Sequence, residues 1–180
     1  FGDGTALKGL SDAHVPGLEV PSGSLGHGLP VGVGLASAAQ RRGTGQQCYV
    51  VAGDGEMNEG TMWEALLFAR QQKLRNLTLI VDANGFQAMG RTSDVLDLEP
   101  LADKLRAFGF ETRDINGHDE RALDAALVEL KAHPSPGPRA IVARTTKGKG
   151  VSFMEDNNTW HYTRLSAETY GAAVAELEAA

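Results

Sequence analysis

The sequence predicts an α/β domain spanning residues 1–180, a parallel sheet with helices on both faces. Two observations carry that prediction, and a third points to where the backbone meets a neighbour. Short β-rich apolar runs alternate with longer stretches of helical period. The run Cys48–Ala52 lacks polar alternation, as strands covered on both sides do. Glycine gathers in a few short stretches, Gly23–Gly34, Gly53–Gly60 and Gly148–Gly150, which implies backbone approaching something closely. Strand and helix alternating at this spacing build a parallel sheet.

The elements follow in order. Phe1 to Pro21, rich in Gly, Asp and Pro, reads as loop. Leu29 to Gln40 reads as a helix whose small residues (Val31, Val33, Leu35, Ala36, Ala38, Ala39) suit close packing on a sheet. Gln47 to Ala52 holds Cys48-Tyr49-Val50-Val51-Ala52, apolar on both faces, and reads as a buried parallel strand. Trp63, Leu66, Leu67 and Arg70 recur at i, i+3, i+4 and i+7 and predict a helix over 61–72 with one core face. Leu77 to Asp82 is the next strand. Leu101, Leu105 and Phe108 mark a helix stopped by Gly109, and Phe110 to Ile115 a third strand. Leu123, Ala126, Leu127 and Leu130 repeat the helical spacing. The proline-rich stretch His133–Pro138 is a loop. Ala140 to Ala143 is a fourth strand, and 167–180 a terminal helix.

Composition excludes several classes. The chain has 180 residues, 17 basic and 23 acidic, for a net charge of −6, and is 42% hydrophobic. That suits one globular domain with a real core and excludes collagen, low-complexity disorder and a coiled coil. No apolar run approaches the ~20 residues that span a bilayer, so no membrane is expected as a partner. The acidic balance argues against a nucleic-acid surface, which needs clustered Lys and Arg. The single cysteine, Cys48, sits in an apolar run and reads as a buried reduced thiol, pointing to a cytoplasmic protein. The chain begins at Phe1 without Met or signal peptide, so a native N-terminal segment is expected to be absent.

In parallel sheets of this kind the ligand sits beyond the carboxyl ends of the strands, so the residues just after each strand carry the chemistry. Gly53-Asp54-Gly55-Glu56-Met57-Asn58-Glu59-Gly60 follows the first strand, and Asp82-Ala83-Asn84-Gly85 closes the second. On neighbouring strands, the side-chain oxygens of Asp54 and Asn84 project into one crevice. One carboxylate, one amide oxygen and one backbone carbonyl are too few for a protein cage. They match Mg²⁺, which fills its octahedron with phosphate oxygens and water. Gly53 and Gly55 leave backbone N–H groups to face an anion at a helix start. The constellation predicts Mg²⁺ holding a diphosphate; by itself each dipeptide reads equally as a turn.

Gly53-Asp54-Gly55 with Asn84 resembles the thiamine diphosphate motif. The wider text, Gly53 to Gly60 with Trp63-Glu64-Ala65, Val81 to Gly85, Ser22-Gly-Ser-Leu-Gly26 and Thr146-Lys-Gly-Lys-Gly-Val151, resembles the transketolase family. The likeness runs from about Asp3 to Trp160-His161 and is closest to the diphosphate-binding subunit of transketolases split over two chains. The resemblance implies the thiamine diphosphate-binding fold. It implies Asp54, Asn84 and the Phe86 carbonyl as Mg²⁺ ligands and Gly55 as a diphosphate contact through its backbone. It places Gly23, Ser24 and Leu25 at the aminopyrimidine, and Lys147 and His161 beside the diphosphate and the reacting carbons. A Lys and an imidazole there can each stabilise phosphate charge, and the imidazole can shuttle a hydroxyl proton. Glu59 and Glu64 match carboxylates that link paired active sites across the family's dimer, though Glu64 equally fits a solvated helix position.

The resemblance further implies transfer of a two-carbon ketol unit from a ketose to an acceptor. The pyrimidine-protonating Glu of the family lies in another domain, so activity is expected only with a second subunit carrying it, in an α2β2 heterotetramer. The enzyme alternative is the α subunit of a 2-oxo acid dehydrogenase, which shares Gly-Asp-Gly…Asn but not the Ser22–Gly26 or Thr146–Val151 text. A non-catalytic relative has no need of Asp54 and Asn84. Three departures bear on substrate. Leu10 stands where the family has a sugar-contacting His, with His14 nearby. His27 replaces a Gln, and Tyr162 follows His161 in place of a Gly. An altered donor or acceptor is expected, including a carrier-bound acyl acceptor in place of an aldose phosphate.

Overall fold

The computed structural model describes residue 10, residues 12–133 and residues 135–179. Four parallel strands form the main sheet: β1 (Cys48–Gly53), β2 (Leu77–Ala83), β5 (Glu111–Asn116) and β6 (Arg139–Arg144), in the order β1-β2-β6-β5. A two-stranded ribbon, β3 (Phe86–Gln87) and β4 (Gly90–Arg91), follows β2 directly. The helices are α1 (Gly28–Arg42), α2 (Gly60–Gln71), the single turn α3 (Thr92–Val95), α4 (Leu101–Ala107), α5 (Glu120–Ala132) and α6 (Ala167–Ala179). Short 3-10 turns cover Gly55–Asn58 and Asn158–His161.

The strand register sets up the rest. Gly53 pairs with Asp82, Asp82 with Ala143, and Ala143 with Ile115, so all four strands end level. Residues that leave the tips therefore leave toward one edge.

The core is split by the sheet. On one face α1, α2 and α4 cover Val50, Ala52, Leu77, Leu79, Val81, Ala140 and Val142. On the other, α5 covers Ile80, Ile115, Ile141 and Ala143. Helix α5 is started by Asp119, whose carboxylate accepts from the N–H groups of Arg121 and Ala122 at 3.0 and 3.1 Å. Helix α1 rests directly on β1: a Cβ at Gly32 would stand 2.3 Å from Val50 Cγ2.

The structure departs from the sequence-based expectation at three points. Strand β1 is not buried on both faces. Tyr49 is 51% and Val51 72% exposed, because β1 is the sheet edge and α5 shields only the far strands. The core stripe of α2 is rotated by one residue from the one expected. Met62, Ala65, Leu66 and Ala69 are buried, whereas Leu67 is exposed, because both stripes fit the 3.6 period. In α1, Val31 and Leu35 are exposed, and Gly32 with Leu29, Val33 and Ala36 makes the contact. Cys48 is half-buried; its thiol donates to the Gly32 carbonyl, and burial, followed by the Glu19 charge, pushes it up from the usual thiol range. No helix among the described residues is long and apolar enough to cross a membrane.

Candidate functional site

Asp54 is the first residue past β1 and caps the turn that follows. Its side chain is almost wholly buried. Oδ1 accepts from Gly55 N–H at 2.8 Å and Oδ2 from Gly85 N–H at 2.6 Å, so the carboxylate of one strand tip is tied to the residue beside Asn84 on the next. Asn84 is fixed at both ends: Nδ2 donates to Asp82 Oδ2 at 3.0 Å, and Oδ1 accepts from Phe86 N–H at 2.9 Å. The Phe86 carbonyl faces Gly55, 3.8 Å from where a Cβ on that glycine would stand; the same Cβ would stand 2.6 Å from Gln87 Cβ. Only a glycine lets the ribbon close on the turn here.

Asp54, Asn84 and Phe86 thus come to one corner. One expectation changes: Gly55 N–H is engaged by Asp54 and does not face an open anion site. Burial, the largest effect, pushes the Asp54 carboxyl above the usual carboxylate range; the Gly85 and Gly55 N–H groups oppose it, and the Asp82 charge adds to it. Among the described residues neither Asp54 nor Asp82 has a basic partner within ion-pair distance. Two adjacent carboxylates without a counter-ion fit a cation. Among the described residues no three His, Cys, Asp or Glu side chains form a metal cluster, so a hard cation here would draw its remaining ligands from carbonyls, water and a phosphate ligand.

Beside this corner lies a cavity of about 590 Å³ lined by Asp82, Asn84, His118, Thr145, Thr146, Lys147, Gly148 and Lys149. Lys147 sits on the loop after β6. Thr145 anchors that loop through its hydroxyl, which donates to Asp82 Oδ1. Lys147 Nζ lies 3.4 Å from His161 Nδ1. An ammonium only donates, so Nδ1 accepts and the ring proton sits on Nε2. Burial first, then the Lys147 charge, holds His161 below the usual imidazole range, which favours the neutral ring. Replacing Lys147 by Met is expected to raise the His161 pKa, followed by NMR titration of the imidazole; an unchanged or lower value would contradict the coupling.

The stretch Gly23, Ser24 and Leu25 enters α1 from the same side. Gly26 N–H donates to Glu56 Oε1 at 2.9 Å and Thr61 Oγ1 to the Gly26 carbonyl at 2.8 Å, pinning it to the turn after β1. Leu10 touches Gly23, with Cδ1 3.1 Å from a Cβ placed there. His14 pairs with Asp12 at 3.1 Å, His27 Nδ1 lies 3.0 Å from the Leu25 carbonyl, and Tyr162 is 97% exposed. Glu59 and Glu64 are exposed. Gly9 and Ser11, which flank Leu10, lie outside the described residues.

Sequence reasoning missed Asp82, Thr145 and His118. Each stands at or just past the end of a strand, and the rule that found Asp54 finds them when applied to all four strand tips.

The family described as "Transketolase, thiamine diphosphate binding domain" matches residues 7–177. The chain belongs to the transketolase family. One subunit of the apulose-4-phosphate transketolase of Actinobacillus succinogenes is 44% identical over 163 residues, covering 91% of this chain and 58% of that protein. A 6-deoxy-6-sulfo-D-fructose transketolase subunit of a Clostridium species is 40% identical over 97% of this chain and 64% of its own length. The chain therefore spans about three-fifths of the length of these subunit relatives. The crystal structure of transketolase from Campylobacter jejuni superposes with a TM-score of 0.84 at 30% identity, over 93% of this chain and 27% of that one. The transketolase fold expected from the sequence is the fold observed.

Proposed function

We propose that this chain is the diphosphate-binding part of a two-subunit transketolase that uses thiamine diphosphate and Mg²⁺. The observation that carries the reading is the corner of Asp54, Asn84 and the Phe86 carbonyl at adjacent strand tips, with two carboxylates and no basic partner among the described residues. Asp54, Asn84 and Phe86 would hold the cation. Lys147 would face the diphosphate and neutralise its charge. Gly23, Ser24 and Leu25 would line the aminopyrimidine.

The cofactor supplies a stabilised carbanion equivalent when bound; the protein supplies position and electrostatics. His161, with Nδ1 turned to Lys147, would donate through Nε2 to a substrate oxygen and could move a hydroxyl proton. Asp82 holds Asn84 and Thr145 at once, so it sets the geometry of both sides of the crevice. The ketol unit would pass from a ketose to an aldose phosphate or a carrier-bound acyl acceptor. Several relatives are named as single subunits of their transketolases, which favours a partner chain. Here that partner would supply the pyrimidine-binding domain and the catalytic Glu in an α2β2 assembly, in the cytoplasm.

The test is turnover. The full-length protein alone should leave xylulose 5-phosphate unchanged, and adding the partner subunit should start Mg²⁺- and thiamine diphosphate-dependent ketol transfer. Turnover by the chain alone would contradict the split site. Full activity with the ordinary pair, xylulose 5-phosphate and ribose 5-phosphate, would contradict an altered acceptor.

A further inference from the structure

His118 has no role in the corner of Asp54, Asn84 and Phe86, yet it lines the cavity that holds Lys147. Strand β5 ends at Asn116, whose Oδ1 accepts from His118 N–H at 3.0 Å and so turns the chain at the tip. The tips of β5 and β6 are in close contact there: Gly117 N–H donates to the Arg144 carbonyl at 2.7 Å, and a Cβ on Gly117 would stand 2.5 Å from Thr145 Cγ2. The imidazole then meets the backbone of the β6 loop, with Thr146 N–H donating to His118 Nε2 at 2.7 Å. A backbone N–H only donates, so Nε2 must offer its lone pair and the ring proton sits on Nδ1. The bond falls one residue before Lys147. On the far side, Asp156 N–H donates to the Lys147 carbonyl at 3.0 Å.

We propose that His118 is a positioning residue for the diphosphate end of the site: its Nε2 fixes the Thr146–Lys147 backbone so that the Lys147 ammonium is presented to the crevice. The proposal rests on the reading that Lys147 faces the diphosphate. In this role His118 acts on the backbone that carries Lys147, through its bond to Thr146 N–H, and not on the cation or the cofactor itself.

The test uses the full-length chain with His118→Ala, His118→Gln, Lys147→Ala and the His118→Ala/Lys147→Ala double variant. In the cofactor-free protein, amide hydrogen exchange over 144–150 should quicken about fivefold in His118→Ala, the effect of one lost hydrogen bond. His118→Gln, whose Oε1 can accept the same N–H, should restore it. With the partner subunit present, Mg²⁺–thiamine diphosphate should bind about tenfold more weakly to His118→Ala, with recovery in His118→Gln. The double variant should be no weaker than Lys147→Ala alone, since both changes act through one group. Unchanged exchange in His118→Ala would overturn the clamp. Faster exchange with unchanged affinity, while Lys147→Ala binds weakly, would overturn the positioning role and leave the cofactor reading standing. Unchanged affinity in Lys147→Ala would overturn the placing of Lys147 at the diphosphate, and this proposal with it.

Discussion

Replacing Asp54 by Ala is expected to weaken Mg²⁺-dependent binding of thiamine diphosphate by roughly 100-fold or more, measured by calorimetry on the full-length protein with its partner. Removing a residue that merely orients a metal ligand costs roughly 10- to 100-fold, and loss of the single carboxylate ligand should match or exceed that. The effect on the cofactor-free fold should be smaller. The carboxylate is buried at some desolvation cost but satisfies the Gly55 and Gly85 N–H groups. Losing those bonds costs about 1–3 kcal/mol, partly offset by no longer burying a charge. Chemical denaturation separates the two effects. Asp82→Ala should give the lesser affinity loss expected of an orienting group, since it frees Asn84 and Thr145 but removes no proposed ligand. Equal cofactor affinity in wild type and Asp54→Ala would sink the assignment.

Gly148→Ala is expected to dismantle the loop that carries Lys147. Gly148 has φ +74°, a region that costs a residue with a Cβ about 1–2 kcal/mol. The added Cβ would also stand 2.5 Å from the Met154 carbonyl oxygen and 2.6 Å from its carbon. Those are backbone atoms and cannot turn aside as a side-chain tip does. Avoiding them means breaking bonds that close the loop, among them Val151 N–H to the Gly148 carbonyl at 3.2 Å and Asp156 N–H to the Lys147 carbonyl at 3.0 Å. The sheet lies outside this loop, so far-UV circular dichroism should keep the native shape. Cofactor affinity should fall at least tenfold, since a group held out of place forfeits its interaction. Wild-type affinity in this variant would show that Lys147 does not depend on the loop.

Much of this was legible in the sequence, for a physical reason. A parallel sheet places every strand end at one edge, so Asp54 and Asn84 needed only adjacent strands to meet, and the register of β1 and β2 supplies that. What was not legible depends on neighbours that a local pattern cannot name. The run Cys48-Tyr49-Val50-Val51-Ala52 is apolar throughout, and only the sheet order shows that nothing covers Tyr49 and Val51. The α2 stripe slipped by one residue because Trp63 and Leu67 satisfy the helical period as well as Met62 and Ala69 do. The β3–β4 ribbon has two residues per strand, too short for any alternation to register. Gly55 looked like a free anion donor because the spacing of Gly-Asp-Gly does not reveal that the aspartate folds back on its own neighbour.

The central claim is that Asp54 and Asn84 share one divalent cation with a diphosphate. Manganese substituted for magnesium gives the most direct measurement: the phosphorus hyperfine coupling to the bound ion, read by electron–nuclear double resonance on the protein with its partner and thiamine diphosphate. A resolved phosphorus coupling that disappears in Asp54→Ala and in Asn84→Ala is the predicted result. Bound manganese without phosphorus coupling, or a coupled spectrum that survives both substitutions, would contradict it.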